Sequence, residues 1–360
     1  MASPPRLGRV FPPLLLAATA ALAAGPPPDV LWTPPADGAW LGGYRSRTPW
    51  TSWTEFVHDH EAMIGRPLDV LRHFRRMLSG HLALDAQMLA FIEDDRRLLV
   101  NWKPGGAGQE QWGNSAGVAS EHCADESICQ VVDDNLRQLA DSIAAIAPRR
   151  IMLTLWHEPE NEVDGHVCAP PDCRGTEEEY VAMWSNARAI FEERGADNVI
   201  WAWTMTGYSG HFALLPDLWP GNELVDWVLW DPYLQGTGGT DIVAKIDVAY
   251  EYFLTAGDAD HDWASKPWGL AEWGTALAPN QATPEEQAAA FAQLEAALSD
   301  EGAFPRLKLL AYFDAGASEI QVEPAVSAYR SLARSGHLSR LFADGFESGD
   351  VSAWSVVSAP

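Results

Sequence analysis

Short apolar runs alternate with longer amphipathic stretches along most of this chain. Ala39–Tyr44, Pro67–Phe74, Arg97–Trp102, Arg150–Trp156, Asn198–Thr204, Leu224–Leu229, Trp268–Glu272 and Leu307–Phe313 read as strands. Trp53–Ile64, Leu82–Asp94, Asp125–Ala147, Glu177–Arg194, Asp241–Ala256, Pro284–Leu298 and Ala325–Ser335 read as helices between and after them. Thr176 and Thr283 each precede a run of acids, and Pro284 takes the first helical position, so both are good helix starts. The connection after the fifth strand is the weakest, with only a short helical turn expected over Phe212–Leu218.

Strand–helix alternation means a parallel sheet with crossover helices, an α/β protein. Eight such units over about 300 residues predict a closed (β/α)8 TIM barrel, here a single catalytic domain over residues 38–337. An open doubly wound sheet would carry a Gly-rich phosphate loop after its first strand, and Trp40-Leu-Gly-Gly-Tyr-Arg-Ser46 is not one.

The ends of the chain read differently. Arg6 and Arg9 precede an apolar run to Ala24, and Ala21-Leu22-Ala23 fits a small-x-small cleavage site. Residues 1–24 are therefore expected to be a signal peptide, and the protein to be secreted, extracellular or periplasmic. The run is too short, and too broken by Pro12 and Pro13, to span a bilayer. Residues 25–37 form a Pro-rich leader, and 338–360 a short Gly-, Ser- and acid-rich tail with no room for another β/α unit. That tail resembles a short C-terminal segment found on diverse secreted bacterial proteins.

A formal charge of −26 argues against nucleic acid and anionic lipid as partners, whereas a neutral polysaccharide meets no such barrier. Seventeen Trp are a surplus that suits flat sugar platforms, although core packing competes for each ring. Four Cys in an exported chain suggest two disulfides, and Cys123/Cys129 and Cys168/Cys173 are the simplest pairing. A zinc site from His157, His166, Cys168 and Cys173 is the lesser alternative.

Function in such barrels gathers where strands run into the following loops. One such end is Ile151-Met-Leu-Thr-Leu-Trp-His-Glu-Pro-Glu-Asn161, where strand alternation would place Thr154, Trp156 and Glu158 on one face. The zinc-protease pattern His-Glu-x-x-His fails here, because Asn161 stands where the second His is needed. The other end is Lys266-Pro-Trp-Gly-Leu-Ala-Glu-Trp-Gly274, which delivers Glu272. Either Glu alone has an ordinary solvated reading. As a pair at the ends of the fourth and seventh strands, they can converge across the barrel mouth. Retaining glycosidases need two carboxyl groups about 5–5.5 Å apart, one nucleophile and one acid/base.

The constellation resembles clan A of the glycoside hydrolases, and most of all glycoside hydrolase family 26. The resemblance rests on His157-Glu158, on Glu272-Trp273-Gly274, and on the WLGGY, NVIWAWTM and VDWVLWDPY segments, over roughly residues 38–320. It implies Glu158 as acid/base proton donor, Glu272 as nucleophile, and Tyr233 as a hydrogen-bond donor to that nucleophile. It also implies that His157 touches substrate or orients the acid, and that Tyr312 or Phe313 forms an aromatic floor. Trp102, Trp156, Trp203 and Trp273 are candidate substrate contacts. The chain departs from the mannan-cleaving pattern at Thr154, where an Arg is usual, and at Pro159-Glu160-Asn161. Glu160 is a rival to Glu158 as acid.

The resulting expectation is a monomeric retaining hydrolase of β-mannan or a related plant-type β-glycan, needing no cofactor or metal. β-Glucan and xylan remain open as substrates, and a non-catalytic carbohydrate-binding barrel is the alternative class.

Overall fold

The computed structural model describes residues 32–46, 52–76, 82–105, 109–169, 171–234, 241–277, 280–299 and 302–338. The predicted signal segment, and the tail beyond Leu338, lie outside the described residues. Eight parallel strands close in sequence order: β1 Trp40–Arg45, β2 Val70–Arg76, β3 Arg97–Lys103, β4 Ile151–Leu155, β5 Val199–Met205, β6 Trp227–Trp230, β7 Trp268–Trp273 and β8 Leu307–Asp314. β8 pairs back to β1 in the register Trp40↔Leu309 through Arg45↔Asp314, which closes the barrel.

Outside lie α1 Trp53–Ile64, α2 Ala86–Glu93, α3 Glu126–Ala144, α4 Glu177–Glu193, α5 Ile242–Thr255, α6 Pro284–Ser299 and α7 Ala325–Ala333. Capping boxes fix the starts of α1 (Ser52 with Glu55) and α4 (Thr176 with Glu179), and Thr283 and Glu286 exchange the same two bonds before α6. After β5 the chain makes only a 3₁₀ segment, Ser209–Leu214, so one crossover lacks a full helix.

Side chains alternate between two apolar layers. The barrel interior holds Val70, Leu99, Met152, Ile200, Leu229 and Leu309 among others. Its N-terminal end is closed by aromatics: Trp40 stacks on Trp227 at 5.5 Å, and Trp32 packs edge-on against Trp40 at 5.9 Å. Trp32 is buried and donates its indole N–H to the Arg150 carbonyl. The Pro-rich leader thus ends as part of the barrel floor rather than as a free arm. The outward faces meet the helices, and there the Trp surplus is spent: Trp102, Trp156, Trp184, Trp201, Trp203, Trp230, Trp263, Trp268 and Trp273 are all fully buried.

Two bridges form: Cys123–Cys129 ties a loop to the first turn of α3, and Cys168–Cys173 closes the loop after β4. The second takes both sulfurs that a zinc site would have used.

Candidate active site

The C-terminal mouth of the barrel is reached by two breaks in regular pleating. β4 stops at Leu155, and Trp156 and Glu158 both adopt left-handed backbone (φ 52° and 54°). Such a conformation in a non-Gly residue costs about 1–3 kcal/mol, and it persists where surrounding bonds enforce it. Here Glu158 donates its N–H to the Thr204 carbonyl (2.9 Å), and His157 donates its N–H to Asn101 Oδ1 (3.1 Å). The turn corrects the expected face-sharing of Thr154, Trp156 and Glu158. Thr154 stays inside, bonded to the Thr204 hydroxyl at 3.0 Å. Trp156 swings out to pack on Trp112, with its indole N–H donated to Glu162 at 2.5 Å. Glu158 turns back to the mouth, half-buried.

β7 uses a bulge instead. Its register against β8 runs Leu270↔Leu310 and then Trp273↔Tyr312, three residues against two. Strict alternation would put Glu272 outward with Trp268 and Leu270; the extra residue turns it inward and sends Trp273 outward onto Phe291 and Tyr312. Gly274 follows because the Tyr233 ring lies against it. A Cβ there would sit 2.4 Å from Ser318 Oγ and 2.5 Å from that ring.

Glu272 is buried and held on all sides. The Tyr233 hydroxyl donates to Oε2 at 2.7 Å, Arg72 Nη2 lies 3.4 Å from Oε1, and His157 Nε2 lies 3.7 Å from the same oxygen. Its backbone N–H is donated to Asp231 Oδ1 at 2.8 Å. Arg72 is completely buried, rising from the inward face of β2. Since its guanidinium is the counter-charge, the grouping of His157, Asp231 and Glu272, whose ligand atoms lie within 4.8 Å of one another, is already served by a cation.

Glu158 has a poorer environment. Asn161 donates to Oε2 at 3.3 Å. Burial, then the nearby charges of Glu272 and Glu160, push its carboxyl up to about 8. Asp231 is driven well above the usual carboxylate range by burial, Glu272 and Glu158. Burial and the Arg72 and Lys103 charges hold His157 well below the usual imidazole range, so it is neutral. Glu160, the sequence rival, sits buried behind the mouth. It accepts from the N–H and hydroxyl of Thr206 at 2.9 and 3.0 Å, and burial first of all raises it to about 7.

The mouth therefore brings together Glu158, Glu272, His157, Tyr233 and Phe313. Phe313 stacks on Tyr44 at 5.1 Å and meets Phe74 and Tyr233 edge-on. Other candidates lie elsewhere. Tyr312 faces outward, donating to the Ser318 carbonyl at 2.6 Å, so of the two floor candidates only Phe313 looks into the mouth. Trp102, Trp156, Trp203 and Trp273 are sealed in the barrel–helix layer and are not available to stack on a sugar. Arg72, Asp231, Tyr44, Phe74, Asn101 and Lys103 were not singled out from the sequence. Arg72, Asn101 and Asp231 share one signal: polar residues at inward positions near the C-terminal ends of apolar strands.

No family model and no curated protein matches the chain. Solved structures do. An endo-β-1,4-mannanase double mutant from Cellulomonas fimi superposes with a TM-score of 0.59 at 17% identity, covering 84% of this chain and 72% of that one. The chain shares that fold. A glycoside hydrolase family 26 β-mannanase from Bacteroides ovatus gives 0.58 at 16% identity, covering 84% and 90%. A β-mannanase from a symbiotic protist of the termite Reticulitermes speratus, complexed with gluco-manno-oligosaccharide, gives 0.53 at 11% identity, covering 84% and 88%.

Proposed function

We propose that the chain is a secreted retaining glycoside hydrolase of family 26 type, cleaving β-glycosidic bonds in a plant-type polysaccharide. One observation carries the reading: two glutamates meet in one barrel mouth with opposite electrostatic surroundings. Glu272, oriented by Tyr233 and Arg72, attacks the anomeric carbon. Glu158, protonated near neutral pH, gives its proton to the leaving oxygen and then, as carboxylate, takes one from the incoming water. Phe313, with Tyr44, offers the apolar floor beneath the reacting ring. Family-26-like folds that act on mannan support β-mannan as the first substrate to try, while Thr154 in place of the usual Arg keeps β-glucan and xylan in view.

The test is release of reducing ends from glucomannan, galactomannan, barley glucan and xylan, with the anomer of the first product followed by NMR. Retention of configuration on at least one polymer is expected. Inversion would overturn the mechanism, and no turnover of any β-glycan would favour the non-catalytic barrel.

A further inference from the structure

Two cavities flank the carboxylate pair, and they differ in charge. One has two acids, Glu158 and Asp231, and one cation, Lys245, in its wall, together with Asn161 and Tyr233. In the proposed reaction Glu158 stands beside the leaving oxygen, so this cavity takes the leaving-group side. The other, of about 300 Å³, is walled by Phe74, Arg75, Arg76, Asn101, Lys103 and His157. Phe74 in its wall packs edge-on against Phe313, the floor beneath the reacting ring, so this cavity takes the other arm of the chain, the glycone side.

Three of the six walls of the glycone cavity are cationic, and among the described residues none of them is an acid. That is unexpected in a protein of net charge −26. Asp85, Glu110 and Glu162 pair with Arg75, Arg76 and Lys103 from outside the cavity walls. Arg174 stands behind them, 3.5 Å from Glu110 and 3.7 Å from Glu162, and offsets part of that negative charge. The buried Arg72 adds a further cation nearby. Burial first, and then the Arg72 and Lys103 charges, hold His157 below the usual imidazole range. A neutral sugar needs no such cluster. A negatively charged one would be drawn by it and could take paired bonds from the guanidinium groups.

We infer that the cavity between the ends of β2 and β3 binds an anionic sugar, one carrying a carboxylate or a sulfate ester, on the glycone side of the cleaved bond. The inference rests on the hydrolase reading and narrows its substrate class. Binding is measured by calorimetry at low salt with the Glu272→Gln variant, which holds sugar without cleaving it. The probes are glucomannan oligosaccharides, the same oligosaccharides oxidised at C6 to uronates, and the same sulfated at C6. At least one charged set is expected to bind about tenfold tighter than the neutral parent, as one added charge-assisted bond provides. That advantage should shrink with salt, disappear when Arg76→Gln is added, and return in part with Arg76→Lys. A gain with only one charged set assigns the anion as carboxylate or sulfate. Equal binding of all three sets overturns the inference. If the wild type still cleaves neutral glucomannan in that case, the hydrolase reading survives without it. A wild type inert on every β-glycan overturns the hydrolase reading instead, while salt-sensitive tight binding of a charged set would still uphold the anionic cavity.

Discussion

The ends of β4 and β7 present the same side chain in opposite settings. At β7 a phenol, a guanidinium and a backbone bond to Asp231 meet Glu272. At β4 Glu158 has one amide donor, with Glu160 and Glu272 as negative neighbours. The difference teaches that the roles are assigned by placement. In the proposed reaction, glutamates in a common cavity divide into nucleophile and proton donor according to which one receives the positive and hydrogen-donating groups. Asp231, a third acid in the same mouth, is pushed well above the usual carboxylate range by burial and then by both glutamates.

The most drastic way to break the comparison is to remove either carboxylate. Glu272→Gln and Glu158→Gln should each lower kcat on polysaccharide by on the order of 10⁴-fold or more. The two should part company on an aryl glycoside with a good leaving group. There azide should restore turnover to Glu158→Ala, whose deglycosylation lacks a base, and not to Glu272→Gln. Full activity in both glutamine variants would refute the assignment.

A smaller lesion is Tyr233→Phe, which removes one bond to a charged oxygen and should reduce kcat/KM by about 10- to 100-fold. An unchanged kcat/KM would mean that the phenol does not stabilise the nucleophile.

The pH dependence sharpens the contrast further. Glu158 must be protonated to act, so activity should fall as pH rises through about 8. Glu160 holds that value up by repulsion, so Glu160→Gln should move the alkaline limb to lower pH while the kcat at the optimum changes little. A limb that stays in place would show that Glu160 is uncharged over that range.

Stability gives the smallest effect, and it has a definite sign. Glu158 holds its proton up to about 8 in the folded chain, against 4.5 as its ordinary value. The unfolded chain therefore releases that proton first, and stability falls as pH rises between those values. Glu158→Gln should flatten that fall and raise Tm at pH 8 relative to the wild type, with little change at pH 4. Equal Tm shifts at both pH values would rule out this linkage.

Much of the barrel was legible in the sequence because apolar runs and amphipathic stretches have different periods. The ends of β4 and β7 could be read as chemistry because an acid terminating an apolar run is conspicuous. What the pattern did not reveal depends on backbone irregularity. Alternation alone would turn Glu272 outward and Trp156 inward; a bulge and two left-handed residues reverse both. The Trp residues misled for a related reason. A flat ring serves equally against a sugar and between a strand and a helix, and only inward or outward phase separates the two. Trp102 and Trp203 take the outward phase, whereas Phe313 takes the inward one. Arg72 was hidden in Leu71-Arg-His-Phe-Arg-Arg76, where five polar or aromatic positions in a row give no hint which cation points into the barrel.

The bulge in β7 has a bearing on how such a protein can change over generations. Deleting Ala271 would restore the regular pleat and still leave Glu272 inward and Trp273 outward, whereas flattening the bulge with every residue kept would exchange their outlooks without altering either identity. The direction in which Glu272 looks is thus set by how this strand pairs with its neighbour, and a gene could keep every letter of the mouth while losing the pairing that aims it.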